Sequence, residues 1–253
     1  MPIEIRNPAA PDQIVATYDE TPDNTLDEVV ARARAAQLEW AALPQPERGV
    51  MVTNFVNALE TRSEEIAKSI TKEMGKPLAE ARGEAMKALG EARASVARAN
   101  APIGEVFGSQ IPGTVSYSTR RPRGVILGIN PWNFPFSTPM RKAIPALVYG
   151  NAIILKPASL TPGAVALMAE VAASTLPENL VQAVIGVNFL TFFLETLHTS
   201  LGHLEHLVLV VYPEVSSSHF SSTMVSHSTT SSWTSWTSCL VQHSDSYSVR
   251  QIS

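Results

Sequence analysis

Hydrophobic positions recur with a helical period through the first part of the chain and then give way to short, unbroken apolar runs. Leu26, Val29, Val30, Ala33, Leu38 and Ala41 fall on one side of a helix running from about Thr25 to Ala42. Thr25-Leu26-Asp27-Glu28 reads as a capping box, in which the Thr hydroxyl accepts from the helix N-terminus and the Glu reaches back. Pro44 and Pro46 stop that helix. Val52, Phe55, Val56 and Leu59 set the buried face of a second helix. Ser63 starts a third helix carrying Ile66 and Ile70 and ending near Gly75. Pro77 then opens an Ala-rich helix to about Arg98, its missing N–H harmless in the first turn.

After Pro102 the period shortens. Thr114 to Arg120 alternates as a connecting strand, while Val125 to Ile129 and Ala152 to Lys156 are short apolar runs of the kind that fill a parallel sheet. Arg141 to Tyr149 reads as a helix between them. Thr161 caps a further helix with Pro162 at its first position and Pro177 beyond its end. Leu180 to Ile185 is a third strand. The predicted fold is therefore α/β: N-terminal helices, then the first half of a doubly wound parallel nucleotide-binding sheet beginning at about residue 124.

The pattern breaks after Gly186. Ala is absent from Val187 to Ser253, all 6 His residues lie in that stretch, and Arg250 is its only Lys or Arg. Ser and Thr crowd Ser216 to Ser238. Phe189 to Leu197 and Leu204 to Tyr212 are apolar enough for short buried elements, but Glu195, His198, Glu205 and His206 interrupt them. Neither run reaches the roughly 20 apolar residues of a membrane span. Residues 187–253 are expected to be an irregular or disordered tail. They are read as out-of-frame or mis-spliced coding sequence, ahead of a second domain.

Charge and composition narrow the function. A net charge of −4 leaves no basic footprint for nucleic acid. One Cys among 253 residues rules out a disulfide framework, and Met1 to Arg6 lacks the basic and apolar regions of a signal peptide. These point to a cytoplasmic protein without a membrane partner. His203 and His206 are spaced to share a helical face, but no carboxylate or Cys joins them at a recognised metal spacing, so no metal is expected.

Candidate chemistry concentrates in Pro131-Trp132-Asn133-Phe134-Pro135, directly after the β-branched run ending at Ile129. Two prolines stiffen the segment and bias the residues before them away from helix. An Asn amide presented from a stiff loop at a strand end suits a donor aimed at developing negative charge. A rigid aromatic turn is the bland alternative.

That segment, followed by Gly150-Asn151-Ala152-Ile153-Ile154-Leu155-Lys156-Pro157 and preceded by Gly75-Lys76-Pro77-Leu78-Ala79-Glu80-Ala81, resembles the aldehyde dehydrogenase superfamily from about Ile5 to Gly186. The resemblance implies an oxidoreductase that converts an aldehyde to its carboxylic acid with NAD or NADP. Its nearest branch is the semialdehyde-oxidising one, and intact members are homo-oligomers. It implies that Asn133 donates to the oxyanion and that Ile129, Pro131 and Trp132 line the cofactor cleft. Lys156 is implied to bind the adenosine ribose, and Lys142 to lie near the active site. Ser159 stands where NAD-preferring members often carry Glu. A neutral Ser there removes repulsion of a 2′-phosphate, so NADP is expected to be tolerated or preferred.

Two expected parts are missing. Neither a Gly-Gln-x-Cys nucleophile segment nor a Glu-Leu-Gly-Gly-Lys base segment occurs, and Cys239 stands in the unrelated Thr237-Ser238-Cys239-Leu240-Val241. The chain is accordingly expected to be a truncated, inactive N-terminal fragment of such an enzyme.

Overall fold

The structure, a computed structural model, describes residues 2–186 and the strand Leu207–Val211. It opens with an antiparallel hairpin, β1 (Ile3–Asn7) and β2 (Ala10–Tyr18), that the hydrophobic pattern did not reveal. Only Ile5 of β1 is buried and most of β2 is exposed, so no period-two signal arises. Its tight turn is held by Asn7, whose Oδ1 accepts the Ala9 N–H at 3.0 Å.

Four helices follow: α1 (Leu26–Ala42), α2 (Gln45–Thr61), α3 (Ser63–Met74) and α4 (Leu78–Val96). The capping box at Thr25 does not form. Asp23–Thr25 is a 3-10 turn, and the Thr25 hydroxyl donates to the Pro22 carbonyl at 2.7 Å instead of accepting. The buried face of α1 also differs from the expected one. Leu38 is 58% exposed, while Gln37 and Trp40 are buried. Gln37 Nε2 donates to the Gly150 carbonyl at 2.9 Å and Trp40 Nε1 to that of Leu147 at 2.8 Å. These polar bonds turn α1 so that its Gln, not its Leu, meets the sheet layer.

In α2 the expected Val52, Phe55, Val56 and Leu59 are all buried, as are Ile66 and Ile70 in α3. Gly75 ends α3 at φ 77°, in the left-handed region that favours glycine. Pro77 precedes α4 in extended conformation rather than lying inside its first turn. Of the expected strand from Thr114 to Arg120, only β4 (Ser116–Tyr117) forms a ladder, with β3 (Val106–Phe107).

The second layer is a parallel sheet built from β5 (Val125–Ile129), β6 (Ala152–Lys156), β7 (Val181–Ala183) and β8 (Leu207–Val211), in the order β7-β6-β5-β8. Two helices connect its first three strands. The first, α5 (Ser137–Val148), starts four residues before the expected Arg141, and the second is α6 (Gly163–Thr175). Strand order reverses at β5, so the switch-point crevice lies beyond its C-terminal end.

β8 departs from the expected irregular tail. Its five residues are uniformly apolar, as a parallel strand requires, and Glu205 and His206, which obscured the run, lie just outside it. The rest of residues 187–253, with the expectation placed on them, lies outside the described residues.

The N-terminus of α6 is not capped by Thr161, whose buried Oγ1 has no hydrogen-bond partner among the described residues. Glu73 from α3 caps it instead. Its Oε2 accepts the Gly163 N–H at 3.0 Å, and its Oε1 accepts the Tyr18 hydroxyl at 2.7 Å. Burial pushes the Glu73 carboxyl above the usual carboxylate range. Gly163 is required by this approach, because a Cβ there would lie 2.2 Å from Ser69 Oγ and 2.5 Å from Glu73 Oε1. We predict that Gly163→Ala lowers the unfolding free energy by about 1–3 kcal/mol. Gly83→Ala, in the open on α4, should raise it by about 0.5–1 kcal/mol. Denaturant titrations of both variants measure the two signs.

Candidate active site

The site begins where β5 ends. Ile129 and Lys156 are register partners on β5 and β6, so their C-terminal ends lie side by side. Asn130 follows and is buried. Its backbone N–H donates to the Lys156 carbonyl at 2.9 Å, and its Nδ2 donates to the Gly128 carbonyl at 2.7 Å and to that of Lys156 at 3.3 Å. Asn130 thus continues the ladder one step past the strand with its own amide. The sequence reading did not single it out, although an Asn between an apolar run and Pro131 is a signal for such a bond.

Lys142 reaches this point from α5. It is buried, and its Nζ donates to the Ile129 carbonyl and to Asn130 Oδ1, the latter at 3.1 Å. Desolvation lowers its pKa from 10.5 to about 7. Lys142 is therefore a buried lysine rather than a surface one. Below pH 7 both folded and unfolded chains carry the Lys142 charge. Between about 7 and 10.5 only the unfolded chain does, so it binds more protons and stability rises with pH. We predict that the unfolding free energy of the wild type, relative to Lys142→Met, climbs across this window. The limiting slope is about 1.36 kcal/mol per pH unit. Denaturant titrations at pH 6, 8 and 10 measure it.

The loop 130–136 then turns into α5. Trp132 and Phe134 are 43% and 49% exposed, Pro131 and Asn133 are half-buried, and Pro135 and Phe136 are buried. Lys76, which follows the Gly75 cap of α3, donates to the Asn133 carbonyl at 2.9 Å and pairs with Glu84 Oε2. Its Nζ lies 4.5 Å from the centre of the Phe134 ring, a cation–π distance. Glu84 Oε1 accepts the backbone N–H groups of Phe136 and Ser137, both at 3.1 Å, and so caps α5. The side chains of Lys76 and Glu84 are only 11% and 2% exposed. Among the described residues, no hydrogen-bond partner engages the Asn133 side-chain amide.

Sequence reasoning quoted Lys76 only inside a family segment and missed Glu84. The signal for Glu84 was present: an acid on the same α4 face as the buried Ala81, Ala85, Ala88 and Ala92.

Lys156 and Ser159 lie at the end of β6 and in the loop after it. Lys156 is half-buried, its Nζ donates to the Pro157 carbonyl at 2.9 Å, and desolvation lowers its pKa. Ser159 Oγ donates to the Gly186 carbonyl at 3.3 Å, tying this loop to the chain after β7. Ile129, Asn130, Lys142 and Lys156 therefore meet directly at the carboxyl edge of β5 and β6. The 131–135 loop and Ser159 flank them.

Cys239 and all 6 His residues lie outside the described residues. Among the described residues there is no cluster of three metal-ligating side chains, and no helix is long and apolar enough to cross a membrane.

A parallel sheet whose order reverses at β5, with a pinned Asn-bearing loop leaving its carboxyl end, is the first half of a nucleotide-binding α/β fold. The chain belongs to the aldehyde dehydrogenase family, whose family model matches residues 1–192. It is 36% identical over 184 residues to the alpha-ketoglutarate semialdehyde dehydrogenase of Haloferax volcanii, covering 72% of this chain and 38% of that protein. It is 37% identical over 175 residues to the NADP-type succinate-semialdehyde dehydrogenase of Escherichia coli, covering 67% and 35%. Among solved structures, lactaldehyde dehydrogenase from Escherichia coli superposes with a TM-score of 0.73 at 26% identity, over 83% of this chain and 48% of that one. The chain thus spans less than half the length of the proteins it matches. Members of the family use NAD(P).

Proposed function

We propose that this chain carries the nucleotide-cradling and oxyanion-binding part of an NAD(P)-dependent enzyme that oxidises an aldehyde, of the semialdehyde class, to its acid. The observation that supports this most is the Asn133 amide. Among the described residues nothing engages it, although the backbone at Asn133 and after it is held. Its two N–H donors are available to an oxygen that gains charge as a nucleophile adds to a carbonyl. The semialdehyde class rests on the relatives named above.

The residues present fit a dinucleotide in one respect and exclude another arrangement. The Phe136 and Ser137 N–H groups that open α5 are taken by Glu84 and the Gly163 N–H of α6 by Glu73, so a phosphate placed there would meet a buried carboxylate. Lys156 instead offers an ammonium with one donor used on Pro157, which suits the hydroxyls of an adenosine ribose. Ser159 beside it carries no charge to repel a 2′-phosphate. The bound nicotinamide would supply the hydride acceptor. Ile129, Pro131 and Trp132 would wall the cleft, and Lys142 would hold the β5 end from beneath.

A second reading is supported by the sequence itself. Neither nucleophile nor base segment is present, so the 253-residue chain binds nucleotide or pairs with longer subunits without turning over. We read residues 187–253 as sequence from outside the family frame; sequencing the transcript across codon 186 tests this, and an unbroken in-frame exon would sink it. The lone Cys239 agrees with a cytoplasmic protein.

We predict no aldehyde-dependent NAD(P)H formation by the purified chain; measurable turnover would overturn the second reading. NADPH should bind, as followed by its fluorescence. Lys156→Ala should weaken NADPH and NADH alike by about tenfold, a loss of roughly 1.4 kcal/mol. Ser159→Glu should weaken NADPH alone. The oxyanion role is tested in a chimera joining residues 1–186 to the remaining part of the Escherichia coli succinate-semialdehyde relative. There Asn133→Ala should lower kcat by about 10²–10³-fold.

A further inference from the structure

We propose that Lys76 and Glu84 are positioning residues for Asn133, acting as one buried ion-paired strut that fixes the backbone from which its side-chain amide projects. The proposal rests on the reading of Asn133 as the oxyanion donor. It goes beyond that reading by assigning two residues that do not themselves touch substrate.

The argument is geometric. Lys76 Nζ has three N–H donors, and the structure gives it three neighbours: Glu84 Oε2, the Asn133 carbonyl and the face of Phe134. Glu84 uses its second oxygen on the N–H groups of Phe136 and Ser137. One ion pair therefore grips the loop at its middle and at its end. Holding the Asn133 carbonyl fixes the plane of the peptide that follows it. Pro131 and Pro135 restrict the backbone on either side. What remains free at Asn133 is rotation of its own side chain about two bonds.

Burial makes the two charges interdependent. Removing one partner strands the other in a low-dielectric site, which costs far more than the pair itself contributes. The loop aromatics Trp132 and Phe134 are half exposed, so apolar packing alone does not lock this segment as it locks the helical core. The strut supplies what packing leaves undone.

Fluorine NMR of the full 253-residue chain labelled with 5-fluorotryptophan tests this. Trp132 adjoins Asn133 in the loop, whereas fully buried Trp40, tied to Leu147, reports the core. The Trp132 resonance is assigned with Trp132→Phe. Lys76→Met should move or broaden the Trp132 resonance and leave Trp40 in place, while Lys76→Arg restores the wild-type position. Glu84→Gln, which keeps an acceptor for both N–H groups but removes the ion pair, should also disturb Trp132. Arg93→Met, which breaks the exposed pair with Glu60, should disturb neither.

An unchanged Trp132 resonance in Lys76→Met and Glu84→Gln overturns the proposal. Loss of the Trp40 and Trp132 signals together also overturns it, because the pair would then hold the helical core rather than the loop. Asn133→Ala should leave Trp132 where it is. If the strut variants shift Trp132 but the Asn133→Ala chimera keeps its kcat, the strut stands and the oxyanion reading falls.

Discussion

A carboxylate buried at the start of a helix can be stable only if every one of its oxygens is engaged, and Glu84 meets that demand in a way that organises the site. Its neighbours come from two parts of the chain: Lys76 from the α3–α4 junction, and the Phe136 and Ser137 N–H groups from the start of α5. The positive end of the α5 dipole and the Lys76 ammonium face it from two sides. Because the α4 face carrying Glu84 is mostly alanine, the helices approach closely enough for these contacts to be direct. The loop that bears Asn133 is thereby defined by the helical layer, not by the sheet from which it emerges.

Glu73 repeats the device one βα unit later, closing the N-terminus of α6 and gathering the Tyr18 hydroxyl from the terminal hairpin. The consequence reaches the ligand. In many doubly wound folds the helix N-terminus after the first strand receives a phosphate. Here both corresponding positions hold an internal carboxylate. That occupation agrees with the absence of a glycine-rich turn after β5.

What could be read from the sequence follows from how local each signal was. Val125–Ile129 and Ala152–Leu155 are apolar throughout because both faces of the sheet are covered, so their strands were legible without structure. The stiff loop around Asn133 was legible because two prolines framed it. Glu84 and Asn130 left only weak local signals, since each works through partners far away in sequence or through the backbone of an adjacent strand. Leu38 misled for a related reason: its helix is oriented by the Gln37 and Trp40 bonds to the α5–β6 turn, which outweigh the hydrophobic stripe. The β1–β2 hairpin is exposed on most of its surface and left no periodic trace. β8 was masked by its polar neighbours rather than by its own composition.

Three lysines around the loop show how burial and partners divide one side chain into different tasks. Lys76 is nearly enclosed but ion-paired, and it acts as a fixed point of the loop. Lys142 is equally enclosed, faces the neutral acceptors Ile129 and Asn130, and has a pKa lowered to about 7, so at neutral pH much of its population holds the β5 end as an uncharged amine. Lys156 is only half-buried and spends one bond on the adjacent Pro157 carbonyl. Of the three, Lys156 is the one that ends a strand, at the carboxyl edge of the sheet. Burial and partners thus commit Lys76 to the loop and Lys142 to the end of β5.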